Sequence, residues 1–263
     1  MDAQTPPAAK AAAPPPKPTG LTRRRLLIGT GAGAALLIGY AVWPRDVRLN
    51  LPVRQDETLI NGFLKIARDG RITVVCPQAE MGQGVYTALP QLLAAELGAD
   101  WNMVGVEPAP LHPIYANRAF VDGVGESMPS LLGGIAKWAA VSVIERFEVQ
   151  ATGGSTSVKA YWEPLRMAGA AARALFIRAG ARRLGLDAGD LDTADGFVAG
   201  GGKRVSFVDL LPHIDPDDLP AEPELRQGAT IIGQSVPRID IPAKTNGSAI
   251  FGADVRLPGM AYA

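Results

Sequence analysis

Apolar residues dominate two short runs, Gly62-Phe63-Leu64-Lys65-Ile66 and Arg71-Ile72-Thr73-Val74-Val75, each with a polar residue between apolar ones. Arg68-Asp69-Gly70 between them is a turn signal, so the pattern predicts two short strands closed into a hairpin. The period then changes. Leu89, Leu92, Leu93 and Leu97 fall at i, i+3, i+4 and i+8, a helical stripe that Gly98 brings to an end. Pro90 must lie in the first turn of that helix or kink it, because an interior proline forfeits a backbone hydrogen bond. Residues 101–107 return to strand character, with Val104 and Val106 on one face. The resulting unit is strand, glycine-bearing loop, helix, strand.

Further along, Trp138, Ala139, Ala140, Val143 and Ile144 mark a helix within residues 129–146, to which no chemistry is assigned. A longer helix opens at 152–157: Leu165, Ala168, Ala172, Leu175, Phe176 and Ala179 share a face, and Gly185 is its stop. Ser155 or Ser157 is the expected N-cap. The small residues from Ala168 to Ala172 allow close packing, and Arg166, Arg173, Arg178, Arg182 and Arg183 are expected on a solvated face. Residues 195–198 and 204–207 predict a second hairpin turning at 200–203. The acidic, proline-rich stretch 209–225 reads as a linker or boundary. Helices and locally paired strands in this order give an α+β fold class.

The N-terminal region differs in kind. Residues 1–20 are dominated by Ala, Pro and Lys, a composition that cannot form a packed core and is expected to be disordered. Thr22-Arg23-Arg24-Arg25-Leu26-Leu27-Ile28 and the uncharged stretch to Trp43 resemble a twin-arginine export signal. That route implies a periplasmic location, with the segment either cleaved or kept as an inner-membrane anchor. Gly29, Gly31 and Ala34 also fit a dinucleotide fingerprint, but the strand preceding it would be half charged and no second strand follows before Pro44.

Composition narrows the chemistry. Twenty-six Lys and Arg balance twenty-six Asp and Glu, so no basic field favours nucleic acid as a partner. The single Cys76 supports neither an intrachain disulfide nor an iron–sulfur site, and His112 and His213 lack metal-ligand spacing. No metal ligand is assigned. A redox cofactor would have to be held by backbone and neutral side chains.

Two runs offer that. Met81-Gly82-Gln83-Gly84 and Thr152-Gly153-Gly154-Ser155-Thr156-Ser157 each place small residues and neutral hydrogen-bonding groups before a predicted helix, where free N–H groups can hold an anionic oxygen. Structurally, the same runs are explained by a strand-to-helix turn and by capping.

The segment Arg238 to Met260, with Pro242-Ala243-Lys244, Gly247 and Pro258-Gly259, resembles the opening of the α/β hammerhead domain in molybdopterin-binding large subunits of the xanthine dehydrogenase and aldehyde oxidase family. With it, Met81–Gly84 resembles the family's glutamine loop and Gly154–Ser157 a pterin-holding loop. The order, glutamine loop before hammerhead, resembles the isoquinoline 1-oxidoreductase beta subunit type. The resemblance implies three regions. Residues 1–45 would be signal or anchor, 46–225 the first part of a molybdopterin-binding domain, and 226–263 the start of a hammerhead domain. It implies Gly82, Gln83, Gly84, Gly154, Ser155, Thr156 and Ser157 as cofactor-binding residues for molybdopterin in a cytosine dinucleotide form. It further implies a small-molecule substrate, an N-heteroaromatic ring or an aldehyde, and an iron–sulfur subunit, with a membrane cytochrome as a further partner. The family's catalytic glutamate has no match here, so no catalytic residue is assigned. The expected product is an N-terminal part of such an enzyme, inactive alone and incompletely folded. The alternative is a non-enzymatic, membrane-anchored fragment or binding module.

Overall fold

The structure is a computed structural model that describes residues 48–227 and 231–261. The export-signal expectation and the Gly29–Ala34 fingerprint fall outside the described residues. Four strands form the first sheet: β1 (Glu57–Asn61), β2 (Leu64–Ala67), β3 (Ile72–Cys76) and β4 (Val104–Pro108), in the order β1-β2-β3-β4. The predicted hairpin is the antiparallel β2–β3 pair, with Leu64 opposite Val74 and Gly70 at φ +90° in its turn. β1, which the pattern does not announce, pairs antiparallel with β2. β3 and β4 run parallel, with Val74 opposite Val106. A parallel pair needs a crossover, and the helix α1 (Val85–Leu97) supplies it.

α1 stops where expected. Gly98 takes φ +74° and its N–H bonds to Ala94 O at 2.9 Å. Pro90 lies in the second turn, so the carbonyl of Tyr86 loses its usual helical donor. Trp101–Met103 is a 3-10 turn rather than strand, because the Asp100 side chain accepts from Asn102 N and closes a local turn before β4 can begin.

α2 (Ser130–Arg146) is helical as expected, and it leaves Leu131, Leu132, Ile135 and Trp138 exposed. α3 (Ser157–Leu184) buries Leu165, Ala172, Leu175, Phe176 and Ala179, and Gly185 caps it at φ +66°. The N-cap is Thr156 rather than Ser155 or Ser157. Ser155 occupies the left-handed region at φ +55°, which is incompatible with capping geometry, and Ser157 is the first helical residue.

The core lies where α1 and α3 meet each other and the first sheet, joining Leu64, Ile66, Val74, Leu89, Leu93, Tyr161, Leu165 and Phe176. Gly169 makes the helix contact close: a Cβ there would lie 2.4 Å from Leu93 O. A second antiparallel sheet, β5 (Asp192–Ala194), β6 (Phe197–Gly200) and β7 (Lys203–Ser206), packs at the far end of α3. Its β6–β7 turn is Gly201-Gly202, both at positive φ, as a two-residue hairpin loop of this hand requires.

Two expectations about charge and linkage are corrected. Arg166 and Arg173 are not solvated: they turn inward to Glu96 of α1, which has no exposure. The stretch 209–225 is no free linker, since Leu210 and Leu211 are buried and Ile214 and Leu219 pack on the core. After the short helix α4 (Phe207–Leu210), the chain runs to a strap whose described part is 231–261. That part contains the five-residue helix α5 (Ile241–Thr245), a 3-10 turn at Gly252–Asp254 and no strand. Ile250, Phe251 and Leu257 of the segment likened to a hammerhead opening are exposed.

Candidate functional site

The two predicted loops come together. β3 ends at Cys76, and the chain turns through Gln78 and Ala79 into the glutamine loop. Ala79 N donates to Thr152 Oγ1 at 2.9 Å, and Ser157 Oγ donates to Gln78 Oε1 at 2.8 Å. The meeting point lies beyond the carboxyl ends of the parallel pair β3 and β4, where α/β sheets characteristically bind ligands. No spacing argument could bring together residues more than seventy positions apart.

The glutamine loop is built around a carboxylate to which the motif gives no role. Glu80 Oε1 accepts from Gly82 N at 2.8 Å and Gly84 N at 2.9 Å, and Oε2 accepts from Tyr86 N at 2.9 Å. Gly82 and Gly84 lead into α1 and Tyr86 lies in its first turn, so an acidic side chain already occupies N–H groups that the sequence alone leaves free for a ligand. Burial by itself raises the Glu80 carboxyl. The three N–H bonds outweigh it and hold the group below the usual glutamate range. An acid two and four residues ahead of the loop glycines was the available signal.

Gly82 (φ +104°) and Gly84 (φ +88°) adopt left-handed geometry, and a Cβ at Gly82 would meet nothing within 4 Å. Between them, Gln83 is exposed and folded back on the loop: Oε1 accepts from Met81 N at 2.6 Å, and Nε2 donates to Ala79 O at 2.7 Å. Both polar ends of its amide therefore have partners.

The second loop is different. Gly154 (φ +59°) and Ser155 lie exposed in left-handed conformation. Thr156 gives no side-chain cap, because its hydroxyl donates to Gly153 O at 2.8 Å and accepts from Asn117 Nδ2 at 2.8 Å. Among the described residues, no acceptor meets the N–H groups of Gly153, Gly154 and Ser155 or those opening the 28-residue helix α3. Asn117 is wholly buried and also bonds Ala151 O at 3.0 Å, while among the described residues its Oδ1 meets no partner. It holds this loop, and nothing in its sequence surroundings marked it.

A third element closes the site. Arg238 Nη1 donates to Gly82 O at 3.2 Å and Nη2 lies 3.4 Å from Glu80 Oε1. Asp240 grips the same guanidinium at 2.9 and 2.8 Å, and Ile239 N donates to Thr87 Oγ1 at 3.1 Å.

Cys76, just before the loop, is buried, and burial pushes its thiol up to about 11, so it is no nucleophile at neutral pH. His112 caps a 3-10 turn through Nδ1, and its buried Nε2 meets no partner among the described residues. Among the described residues, no three His, Cys, Asp or Glu side chains form a metal cluster.

No model of a protein family matches the chain. Curated relatives do. A membrane-bound aldehyde dehydrogenase (pyrroloquinoline-quinone) of Gluconacetobacter polyoxogenes is 32% identical over 259 residues, covering 92% of this chain and 29% of that protein. The beta subunit of isoquinoline 1-oxidoreductase of Brevundimonas diminuta is 30% identical over 77% of this chain and 28% of its own length. A nicotinate dehydrogenase subunit of Pseudomonas putida is 27% identical over 76% and 14%. The chain thus spans less than a third of the length of each of these relatives.

Proposed function

Because the chain belongs to the family of xanthine dehydrogenase-type molybdenum subunits represented by the isoquinoline 1-oxidoreductase beta subunit, we propose that it contributes two cofactor loops to a molybdenum-dependent oxidoreductase. The substrates are aldehydes or N-heteroaromatic rings. The observation that carries this is the meeting of the two loops through Ala79–Thr152 and Gln78–Ser157. The cofactor, of the cytosine dinucleotide form, supplies when bound a two-electron oxidation that uses water as the oxygen source.

The residues fit it unequally. The N–H groups of Gly153, Gly154, Ser155 and the start of α3, without an acceptor among the described residues, suit a phosphate-bearing ligand. Ser157 keeps a hydroxyl beside them, while Thr156 holds the loop rather than the ligand. At the first loop, Glu80 occupies the N–H groups, so Gly82 and Gly84 serve by leaving room, and Gln83 is the group that can reach a ligand oxygen with its amide. In this reading, residues 46–225 form part of the cofactor domain and 226–263 open the hammerhead domain. Electrons pass to a separate iron–sulfur subunit and, at the membrane, to a cytochrome. The twin-arginine-like segment directs the protein to the periplasm.

The test is the cofactor content of the chain from a molybdopterin-competent host, alone and with the product of any adjacent reading frame. Molybdenum and a cytosine-dinucleotide pterin in stoichiometric amount, in either sample, are the expected result. The name of the Gluconacetobacter relative includes pyrroloquinoline-quinone, so that quinone is assayed too; finding it in place of molybdenum reassigns the site. Finding neither group in either sample leaves the non-enzymatic, membrane-anchored binding module as the reading.

A further inference from the structure

Glu80 is a charged side chain spent entirely on its own loop and on one downstream arginine. Its carboxylate ties together three backbone donors, Gly82, Gly84 and Tyr86, which flank Gln83 on both sides. With those ends fixed, Gln83 is left at the apex. Arg238 then spans the loop from outside, with one nitrogen on Gly82 O and another beside Glu80. Its orientation is set by a two-point grip from Asp240, which Lys244 also contacts. The strap is moored along one face of α1 and just beyond its end, by Ile239 N on Thr87 Oγ1, Gln234 O on Gln91 Nε2 and Pro237 O on Trp101 Nε1.

Resting on the reading of Met81–Gly84 as a cofactor loop, we propose that Glu80 and Arg238 are positioning residues. They form a clasp by which the strap at 237–244 sets where Gln83 is presented. Neither touches the ligand. The chain after residue 230 thus does more than begin another domain: it completes the glutamine loop from outside, so seating the strap and presenting Gln83 are one event. A guanidinium is needed because a lysine cannot grip Asp240 at two points while reaching Gly82 O.

The experiment follows Gln83 directly. In the 15N-labelled, cofactor-free chain, the side-chain amide of Gln83 is assigned, and exchange of the Gly82, Gly84 and Tyr86 amides is measured in wild type, Glu80→Gln, Arg238→Lys and Arg238→Ala. The clasp predicts that Glu80→Gln speeds exchange at all three amides by about tenfold or more, as expected when bonds to a charged acceptor are lost. It also predicts that the Gln83 amide moves toward the resonance of a free glutamine. Arg238→Lys and Arg238→Ala should shift Gln83 in the same direction while the amides of β3 keep their protection. An unmoved Gln83 in both arginine variants overturns the proposal. If Glu80→Gln does not fold, the arginine variants decide alone.

Cofactor retention from a competent host is scored on the same variants. A displaced Gln83 with retention below about a tenth of wild type supports the role toward the ligand; displacement with unaltered retention overturns it. A wild-type chain that takes up no cofactor in any sample counts against the proposed function, and the Gln83 resonance still decides the clasp.

Discussion

Arg166 reaches across from α3 to Glu96 of α1, with Nη2 at 2.6 Å and Nε at 2.8 Å from the same carboxylate oxygen. The second oxygen accepts from Arg226 N at 2.7 Å and lies 3.6 Å from Arg173 Nη1. Glu96 has no exposure, so its charge is tolerated only because every side of it is answered. One carboxylate thereby joins the two helices and the chain leading to the strap.

Glu96→Gln should therefore be costly although it preserves shape. Two guanidinium groups, 18% and 11% exposed, would lose their common counter-charge. Breaking a buried pair from one side costs about 3–5 kcal/mol. Urea unfolding should show a lowered midpoint with an unchanged slope. A loss under about 1 kcal/mol would mean that the network behaves as a surface pair.

Two glycine-to-alanine changes should have opposite signs. At Gly169 the new Cβ would sit 2.4 Å from Leu93 O and 2.9 Å from the Glu96 Cβ, both held in the packed core. Overpacking of this kind costs about 1–3 kcal/mol, enough to exceed the roughly 1 kcal/mol that alanine gains in a helix. Gly134, in α2, faces open space. Its replacement should raise stability by about 0.5–1 kcal/mol. Parallel thermal melts decide, and a stabilised Gly169→Ala would show that α1 and α3 can separate at little cost.

What the sequence made legible was set by local rules. The β2–β3 hairpin, the Leu89–Leu97 stripe and the glycine stops at 98 and 185 depend on spacing and on φ preferences within a few residues. β1 is hidden because Glu57–Asn61 is short and only Ile60 is fully buried. Lys65, in the middle of β2, is buried against Glu57 and Glu107, and pattern alone would turn it to solvent. Arg166 and Arg173 escape a pattern-based placement for the same reason: the carboxylate that draws them inward lies seventy or more residues away. At the site, Gly82–Gly84 and Gly154–Ser157 are visible as motifs and Glu80 lies within local reach of the first, whereas Asn117 and Arg238 act through contacts that only the fold creates.

Acid should release the strap from the loop. Glu80 lies below its ordinary range because, against burial, the N–H bonds of Tyr86, Gly84 and Gly82 favour its charged form. Asp240 is likewise held well below the usual aspartate range, chiefly by the Arg238 side chain. Both values are depressed by folding, so their stabilisation is complete above the unfolded values, about 4.3 for Glu and about 3.9 for Asp, and lost as pH falls through the folded ones. The difference in unfolding free energy between wild type and Asp240→Asn should be level from about pH 7 to about pH 5 and shrink below about pH 4. A difference that widens on acidification would show that the Asp240 charge opposes folding.

Thr156 offers a test of the second loop that leaves the first intact. Its buried hydroxyl links Asn117 to Gly153, accepting from the one and donating to the other. Thr156→Val keeps the volume but leaves Asn117 Nδ2 with Ala151 O alone among the described residues, beside an Oδ1 that already lacks a partner there. Stranding a buried donor costs about 1–3 kcal/mol. Thr156→Ser keeps the hydroxyl and should recover most of that loss, since it gives up only a methyl group, worth about 1 kcal/mol. The local readout is exchange at Ala79 N, whose acceptor Thr152 Oγ1 sits in the same loop. Faster exchange in the valine variant and recovery in the serine variant would show that Asn117 and Thr156 hold the two loops in contact. Equal stability and unchanged exchange in Thr156→Val would mean that the backbone alone sets the loop, and the buried Asn117 would then need another reason to be there.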